Sequence, residues 1–386
     1  MTFVGFIGIL LSFIAFAWFT KRKDNSRFAL FLVIVIVHVA SAYIYYLYVQ
    51  TSDADTKLYY YDEYAFFENG FGLGTMFIVY VTQSVLETIG GSYLDYFFLY
   101  QALGVWGLAL VFRSMEETAT ALNTPMPPLI YGLMFLPGMY FWTAAIGKDA
   151  PLFLACAMVV WSSFRLSSRW VWFGLAIAIM LCIRMHVALI TVVGLSLALV
   201  AGRGVPNIAR VMLAVAAVIG GVFLFTTLQA ELRVDLTSLD SIADFVEGQT
   251  SAATRGVDNS LANSSFLVKL LSLLYRPFFV DSGGAFGLVA SVQNVVMIAI
   301  TFLLFRNFRL LAELFRGSLA IRFATIHFVL MYLMLAVMYY NVGLGLRQRE
   351  MATPALLVVF GAVWMVVQVR RQVHSPVPSG HAVAVV

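Results

Sequence analysis

Of the 386 residues, 61% are hydrophobic and 11% are charged, against about 45–50% and about 25% in an ordinary soluble chain. With a mean hydropathy of +0.89, the chain has too little polar surface to wet a globule; this excludes a soluble enzyme and predicts an all-α polytopic membrane protein. About eleven spans of about 20 residues each leave only short loops, so no Rossmann or nucleotide-sugar-binding domain fits and any chemistry sits on helix ends.

The predicted spans are 2–20, 28–49, 93–112, 128–146, 150–164, 170–183, 186–201, 210–228, 285–305, 323–340 and 352–369. They form one transmembrane domain over 1–370, with extracytoplasmic loops at about 50–92 and 229–284 and a disordered cytoplasmic tail at 371–386. The first span has no basic residue before it and is followed at once by Lys21, Arg22, Lys23 and Arg27. Positive-inside logic puts that loop in the cytoplasm, the N-terminus outside and, after an odd number of spans, the C-terminus inside. The missing basic n-region and small-residue cleavage site argue against a removable signal peptide. Fifteen basic residues and four acids then fall inside, and nine basic residues and sixteen acids outside. The basic isoelectric point belongs to that inner rim and predicts no nucleic-acid partner.

The loop after the second span carries Asp53, Asp55, Asp62, Glu63 and Glu68 with a single base, Lys57, interleaved with Tyr59, Tyr60, Tyr61 and Tyr64. It reads either as a solvated loop with interfacial tyrosines or as a binding surface. Its second half, Phe71 to Val85, is too short and glycine-broken to span, and reads as a re-entrant or interfacial helix. Further on, Gly138 to Pro151 joins two short apolar runs. Pro151 suits a first helical turn and Asp149 a cap. Lys148 at the same N-terminus opposes the helix dipole, a conflict that a bound anion would resolve.

Arg184-Met-His186 lies in about 30 apolar residues, which predicts two short helices joined by a tight turn. A charge at that depth faces a cavity or partner unless it snorkels. In the 229–265 segment, Leu236, Leu239, Ile242 and Val246 recur at helical spacing beside Asp240, Asp244 and Glu247, predicting a surface amphipathic helix. Asn263-Ser-Ser265 is a glycosylation sequon. An amphipathic run from Phe266 ends at Tyr275-Arg276-Pro277, and Arg347 and Arg349 precede the last span on the acidic side of the membrane. A salt bridge to Glu350 or to the acids of the first loop would be their plain role. His38 and His327 fall mid-span as interhelical hydrogen-bonding groups. Cys156 and Cys182 read as small buried hydrophobes.

Carboxylates from one loop thus share a face with Lys148, Arg184, Arg276, Arg347 and Arg349. Arginine suits bidentate phosphate binding, and a carboxylate beside bound phosphate suits general-base activation of a hydroxyl. Both fit a polyprenyl-phosphate or pyrophosphate-linked sugar, its tail in the lipid bilayer and its sugar stacked on tyrosines.

Asp55-Thr56-Lys-Leu-Tyr59 resembles the Asp-Thr-x-x-Tyr signature of EpsG-like exopolysaccharide polymerases. Pro137 through Phe141-Trp142 to Gly147-Lys148-Asp149 is similar to a Pro…Phe-Trp-Ser…Lys-Asp/Glu segment of Wzy-like polymerases and other GT-C glycosyltransferases. Arg184-x-His186 resembles their Arg-Pro-His element, with Met185 in place of proline, and Arg276-Pro277 and Arg347-x-Arg349 resemble their later arginines. The resemblance implies a GT-C-like helical fold, an extracytoplasmic active site, a lipid-linked donor and a glycan acceptor. The resulting expectation is a bacterial inner-membrane polysaccharide polymerase. Asp55 is its base or acceptor-positioning group, with Asp53 and Asp62 in reserve. Tyr59, Lys148, Arg184, His186, Arg276, Arg347 and Arg349 bind substrate and phosphate. No dedicated metal site is assigned, although a divalent ion bridging Asp53 and Asp55 to phosphate is compatible with oxygen ligands. A transporter or flippase for a lipid-linked glycan would use the same arginines without chemistry.

Overall fold

The computed structural model describes residues 2–19, 25–52, 54–202, 207–232, 261, 264–338 and 342–374. Every regular element among them is helical: α1 (Phe3–Phe19), α2 (Asn25–Gln50), α3 (Asp55–Tyr61), α4 (Thr75–Ile89), α5 (Tyr93–Ala121), α6 (Pro128–Leu133), α7 (Pro137–Phe141), α8 (Asp149–Ser163), α9 (Leu166–Ile183), α10 (Met185–Val200), α11 (Asn207–Leu232), α12 (Phe266–Tyr275), α13 (Ala285–Arg306), α14 (Phe308–Gly317), α15 (Leu319–Met338), α16 (Val342–Gln348) and α17 (Thr353–His374), with short 3₁₀ turns at Phe67–Asn69, Trp142–Ala144 and Arg349–Met351. Six stretches among the described residues are long and apolar enough to cross a membrane: Phe28–Gln50, Tyr93–Ala121, Leu166–Ile183, Ala285–Arg306, Leu319–Met338 and Thr353–Arg371. The protein is an all-α polytopic membrane protein.

Of the eleven expected spans one is revised, and several others are short. Several apolar helices, α1, α8 and α10 among them, have at most 17 residues; at 1.5 Å per residue α8 rises only about 22 Å, short of a hydrocarbon core of about 30 Å. The run 128–146 is no single helix. Pro137 lacks the amide donor that a continuous helix needs and disfavours a helical residue before it, and Leu136 is extended at φ −63°, ψ 121°. The chain therefore breaks into α6, α7 and the Trp142–Ala144 turn. The helix α17 also continues through His374, so the predicted tail begins helical; 375–386 and the predicted amphipathic helix around Leu236–Val246 lie outside the described residues.

The bundle is organised around α5. This 29-residue helix starts with a capping box in which the Ser92 amide donates to Asp95 at 2.9 Å. Asp95 also accepts from the Thr2 amide and hydroxyl at 3.0 and 2.8 Å, so α1 and α5 start at one rim and run parallel. Contact along them is close: Gln101 donates to Ser12 at 2.7 Å and the Trp106 indole to Leu11 O at 3.1 Å. A Cβ on Gly8 would overlap the Phe98 carbonyl. Gly8→Val is therefore expected to push the helices apart and destabilise the protein by about 1–3 kcal/mol, the usual cost of overpacking. Thermal unfolding in detergent measures this, and an unchanged midpoint would contradict the packing.

Polar side chains tie the spans together at depth. His38 Nε2 lies 3.0 Å from Thr143 Oγ1, and His327 Nε2 lies 3.1 Å from Thr191 Oγ1; both histidines are the interhelical groups expected of them. Both cysteines are free, with Cys156 buried and Cys182 half-buried. At the far end of α5, Arg169 makes two hydrogen bonds to Glu117 at 2.7 and 3.2 Å and stacks over Trp161, and Arg113 pairs with Glu116 at 2.8 Å. The end of α17 reaches this same rim, where Arg370 meets Glu313 at 2.7 Å. The start of α1 and the end of α17 thus lie at opposite ends of α5.

Candidate functional site

The site forms at the rim where α1 and α5 begin. After α2 the backbone is extended at Ala54 (φ −134°, ψ 144°) and α3 starts at Asp55. This short helix cannot hold itself together in isolation, and tertiary hydrogen bonds fix it. Thr56 Oγ1 meets Tyr93 OH at 2.6 Å, Tyr60 OH donates to Gly91 O at 2.8 Å, and Gln83 donates to Tyr60 O at 2.6 Å. Asp62 ends α3 in the left-handed region at φ 49°. Its carboxylate accepts from the Phe66 and Phe67 amides at 2.7 and 2.9 Å, so its oxygens serve the turn. A short helix is present where one was predicted over Phe71–Val85: α4 starts at Thr75, directly after Gly74 at φ +69°.

On the buried side of α3, Tyr59 packs onto Gly147. That glycine has φ +146°, and a Cβ there would stand 2.9 Å from the Tyr59 ring; both conformation and contact demand glycine. This approach brings the next residues, Lys148 and Asp149, up to Asp55. Asp149 is the first residue of α8 and makes no side-chain cap, which corrects the capping expectation. It is claimed instead by Arg347 near the end of α16. Arg347 Nη1 donates to Asp55 Oδ2 at 3.0 Å, while its Nε donates to Asp149 Oδ2. The guanidinium thus bridges two carboxylates contributed by segments almost 200 and 300 residues away.

The two carboxylates differ in environment. The Asp55 side chain is 58% exposed, that of Asp149 9% and that of Arg347 19%. Asp149 Oδ1 is buried with no hydrogen-bond partner among the described residues. Burial works against charge on Arg347, but Asp149, Tyr45 and Asp55 outweigh it and raise its pKa further. Lys148 goes the other way: burial and the adjacent Arg184 lower its pKa, opposed by Asp55. Burial and the Asp55 charge raise the Tyr59 phenol. Arg184 belongs to this field from the non-helical junction between α9 and α10, at φ −147°, ψ 92°. The two-helix arrangement predicted around it is present, and His186 is buried at the start of α10.

Asp55, Tyr59, Lys148, Arg184 and Arg347 are therefore brought together. Arg276 and Arg349 have other partners. Arg276 holds Asp281 at 2.6 Å within its own loop. Arg349 is 1% exposed and donates to Asn294 at 2.6 Å, with Glu350 3.7 Å away. It belongs to an interior polar layer in which Gln293 donates to Glu350 at 2.8 Å and accepts from the Gly138 amide at 2.6 Å, while Asn294 donates to Pro277 O at 2.7 Å. Burial raises the Glu350 carboxyl, against the opposing influence of Arg349. Sequence reasoning missed Asp149 as an ion-pair partner, and missed Gln293 and Asn294 altogether. The available signal was two adjacent amides in an otherwise apolar 285–305 span, since polar groups at that depth need partners.

Among the described residues no three His, Cys, Asp or Glu side chains converge to hold a metal ion; Asp53 lies outside them. Asp55 offers its oxygen to Arg347. The arrangement can present three cationic side chains to a phosphate group and one solvent-facing carboxylate to a hydroxyl. No family model matches the chain, nor does any curated protein or solved structure.

Proposed function

We propose that the protein is an integral-membrane glycosyltransferase of polymerase type. It extends a cell-surface polysaccharide from a polyprenyl-phosphate or pyrophosphate-linked sugar at the outer face of a bacterial inner membrane. The observation that carries this reading is the bridge from Asp55 through Arg347 to Asp149, flanked by Lys148 and Arg184. The proposed face is the extracytoplasmic one, with the N-terminus on it and the C-terminus in the cytoplasm, because the arginine-rich rim at the other end of α5 follows positive-inside logic.

In this reading the donor phosphate takes the place of Asp55 on Arg347, whose planar fork matches phosphate oxygens. Lys148 and Arg184 complete the phosphate site. Asp149 keeps Arg347 in place. The released Asp55 accepts the proton of the acceptor hydroxyl as its oxygen forms a bond to the sugar's anomeric carbon. The bond from that carbon to the phosphate oxygen breaks, and the leaving phosphate carries the electron pair into the cationic pocket. Exposed Tyr61 and Tyr64 offer stacking faces to the sugars.

The test uses full-length protein in liposomes with labelled polyprenyl-linked repeat units. Lengthened glycan supports the polymerase. Movement of the unit across the bilayer without lengthening assigns the same arginines to a flippase.

Lys148 adds a pH signature. Its lowered pKa means that the folded protein releases this proton below the ordinary lysine value of about 10.4. Folding stability from this group rises with pH across that window, whereas phosphate binding needs the charged form. Donor binding is therefore expected to weaken on the alkaline side before an ordinary lysine would titrate. Lys148→Arg should move that fall to higher pH in a binding titration. Identical alkaline limbs for both proteins would remove Lys148 from the phosphate site.

A further inference from the structure

A second cationic feature lies at the opposite end of the bundle. The last turn of α13, the start of α14 and the end of α17 flank an open cavity of about 800 Å³ lined by Arg306, Arg309, Arg370 and Arg371, with Phe305 and Phe308 among its other lining residues. This is within the range of small-molecule sites, roughly 300–1,000 Å³. All four arginines are exposed. Arg370 is paired with Glu313, which ties α14 to α17, and Arg371 lies over Trp364 at 5.9 Å. No acid lines the cavity among the described residues, and neither Arg306 nor Arg309 has an ion-pair partner among them.

Two further observations point to a phosphate-bearing lipid. The first is the start of α14, a ten-residue helix whose first three residues, Phe308, Arg309 and Leu310, line this cavity and hold the first amides of the helix. Such amides lack intrahelical acceptors and favour anions. The second is the apolar rim, where Phe305 is 75% exposed and Phe308 63% exposed. A strongly amphipathic helix beside large exposed rings lies in the membrane interface, and basic pockets between transmembrane helices bind anionic lipid headgroups.

We infer that this cavity is a binding site for an anionic phospholipid. Its phosphates sit among Arg306, Arg309, Arg370 and Arg371, and its acyl chains run past Phe305 and Phe308 into the bilayer. The site is separate from the Asp55–Arg347 bridge and stands whether or not the proposed glycosyl transfer does.

The experiment places the delipidated full-length protein in phosphatidylcholine nanodiscs and titrates diphosphatidylglycerol, reading bound lipid per chain by native mass spectrometry. Saturable binding of about one molecule per chain is expected. Arg306→Gln with Arg309→Gln should weaken it about 30-fold, the worth of two arginines facing an anionic leaflet. Both side chains are exposed, so the fold should persist; should the double variant fail to fold, Arg309→Gln alone is expected to weaken binding about fivefold. Arg113→Gln, at a second, charge-balanced cavity where Arg113 and Arg165 meet Glu116 and Glu117, should leave binding unchanged. Equal affinity in wild type and the Arg306/Arg309 variants overturns the assignment. So does displacement of the lipid by inorganic pyrophosphate at equal concentration, which would make the occupant a soluble phosphate.

Discussion

Asp55→Asn should lower glycan extension by about 10²–10⁴-fold, the usual worth of a general base, while binding of the lipid-linked donor stays the same or tightens. The second half of this expectation comes from the geometry. In the resting site Asp55 occupies Arg347 at 3.0 Å, so it competes with the incoming phosphate. An amide of the same shape accepts no proton and holds the guanidinium more weakly. A purely structural Asp55 would behave differently: loss of its bridge would loosen the site and weaken binding along with turnover. The labelled-donor assay in liposomes, paired with a binding titration, reads both. Extension near the wild-type rate would remove Asp55 from the mechanism.

Replacement of Arg347 should have the broadest effect of any single change. Arg347→Lys keeps the charge but loses the planar two-pronged contact, and one ammonium cannot reproduce donation from Nε to Asp149 together with donation from Nη1 to Asp55. Donor binding is expected to weaken about 10–100-fold, in line with about 1.5–3 kcal/mol for a hydrogen bond to a charged group, with turnover falling too. Arg347→Ala goes further, because it strands the Asp149 carboxylate, whose side chain is only 9% exposed. Breaking a buried pair from one side costs about 3–5 kcal/mol, so the unfolding midpoint should drop. Adding Asp149→Asn to Arg347→Ala should restore most of that stability without restoring donor binding. If the double variant stays as unstable as Arg347→Ala, the Asp149 pairing is not what holds α16 against α8.

Several local features of the site could be read directly along the chain. The break at Arg184 follows from length alone, since about 30 apolar residues exceed one span, and the structure divides them into α9 and α10. The weak, glycine-broken helix after Phe71 appears as α4. Arg347 near an acid of the first loop was one of two plain roles open to it, and Arg349 with Glu350 was the other; the structure has both. Asp149 misled because a carboxylate at a helix start usually caps it. A half-buried guanidinium arriving from α16 offers a charged partner that the neutral amides of a helix start do not match.

Composition and periodicity determined the class of this protein: 61% hydrophobic residues have nowhere to go but into a bilayer or a helical core, and within lipid a helix satisfies its own backbone. The division of charge between the two rims is also carried loop by loop along the sequence. Which groups touch was decided only by tertiary packing. Tyr59 on Gly147 and Arg347 between Asp55 and Asp149 are pairings across tens to hundreds of residues, and no periodicity encodes them. The same holds for the expected span at 128–146. Pro137 makes a break available there, and its consequence depends on Gln293 and Glu350, which receive the freed chain at Gly138 from another part of the bundle. Hydropathy reports the preference of each segment for lipid; whether a segment crosses, bends or folds back depends on which polar partners the rest of the fold supplies at that depth.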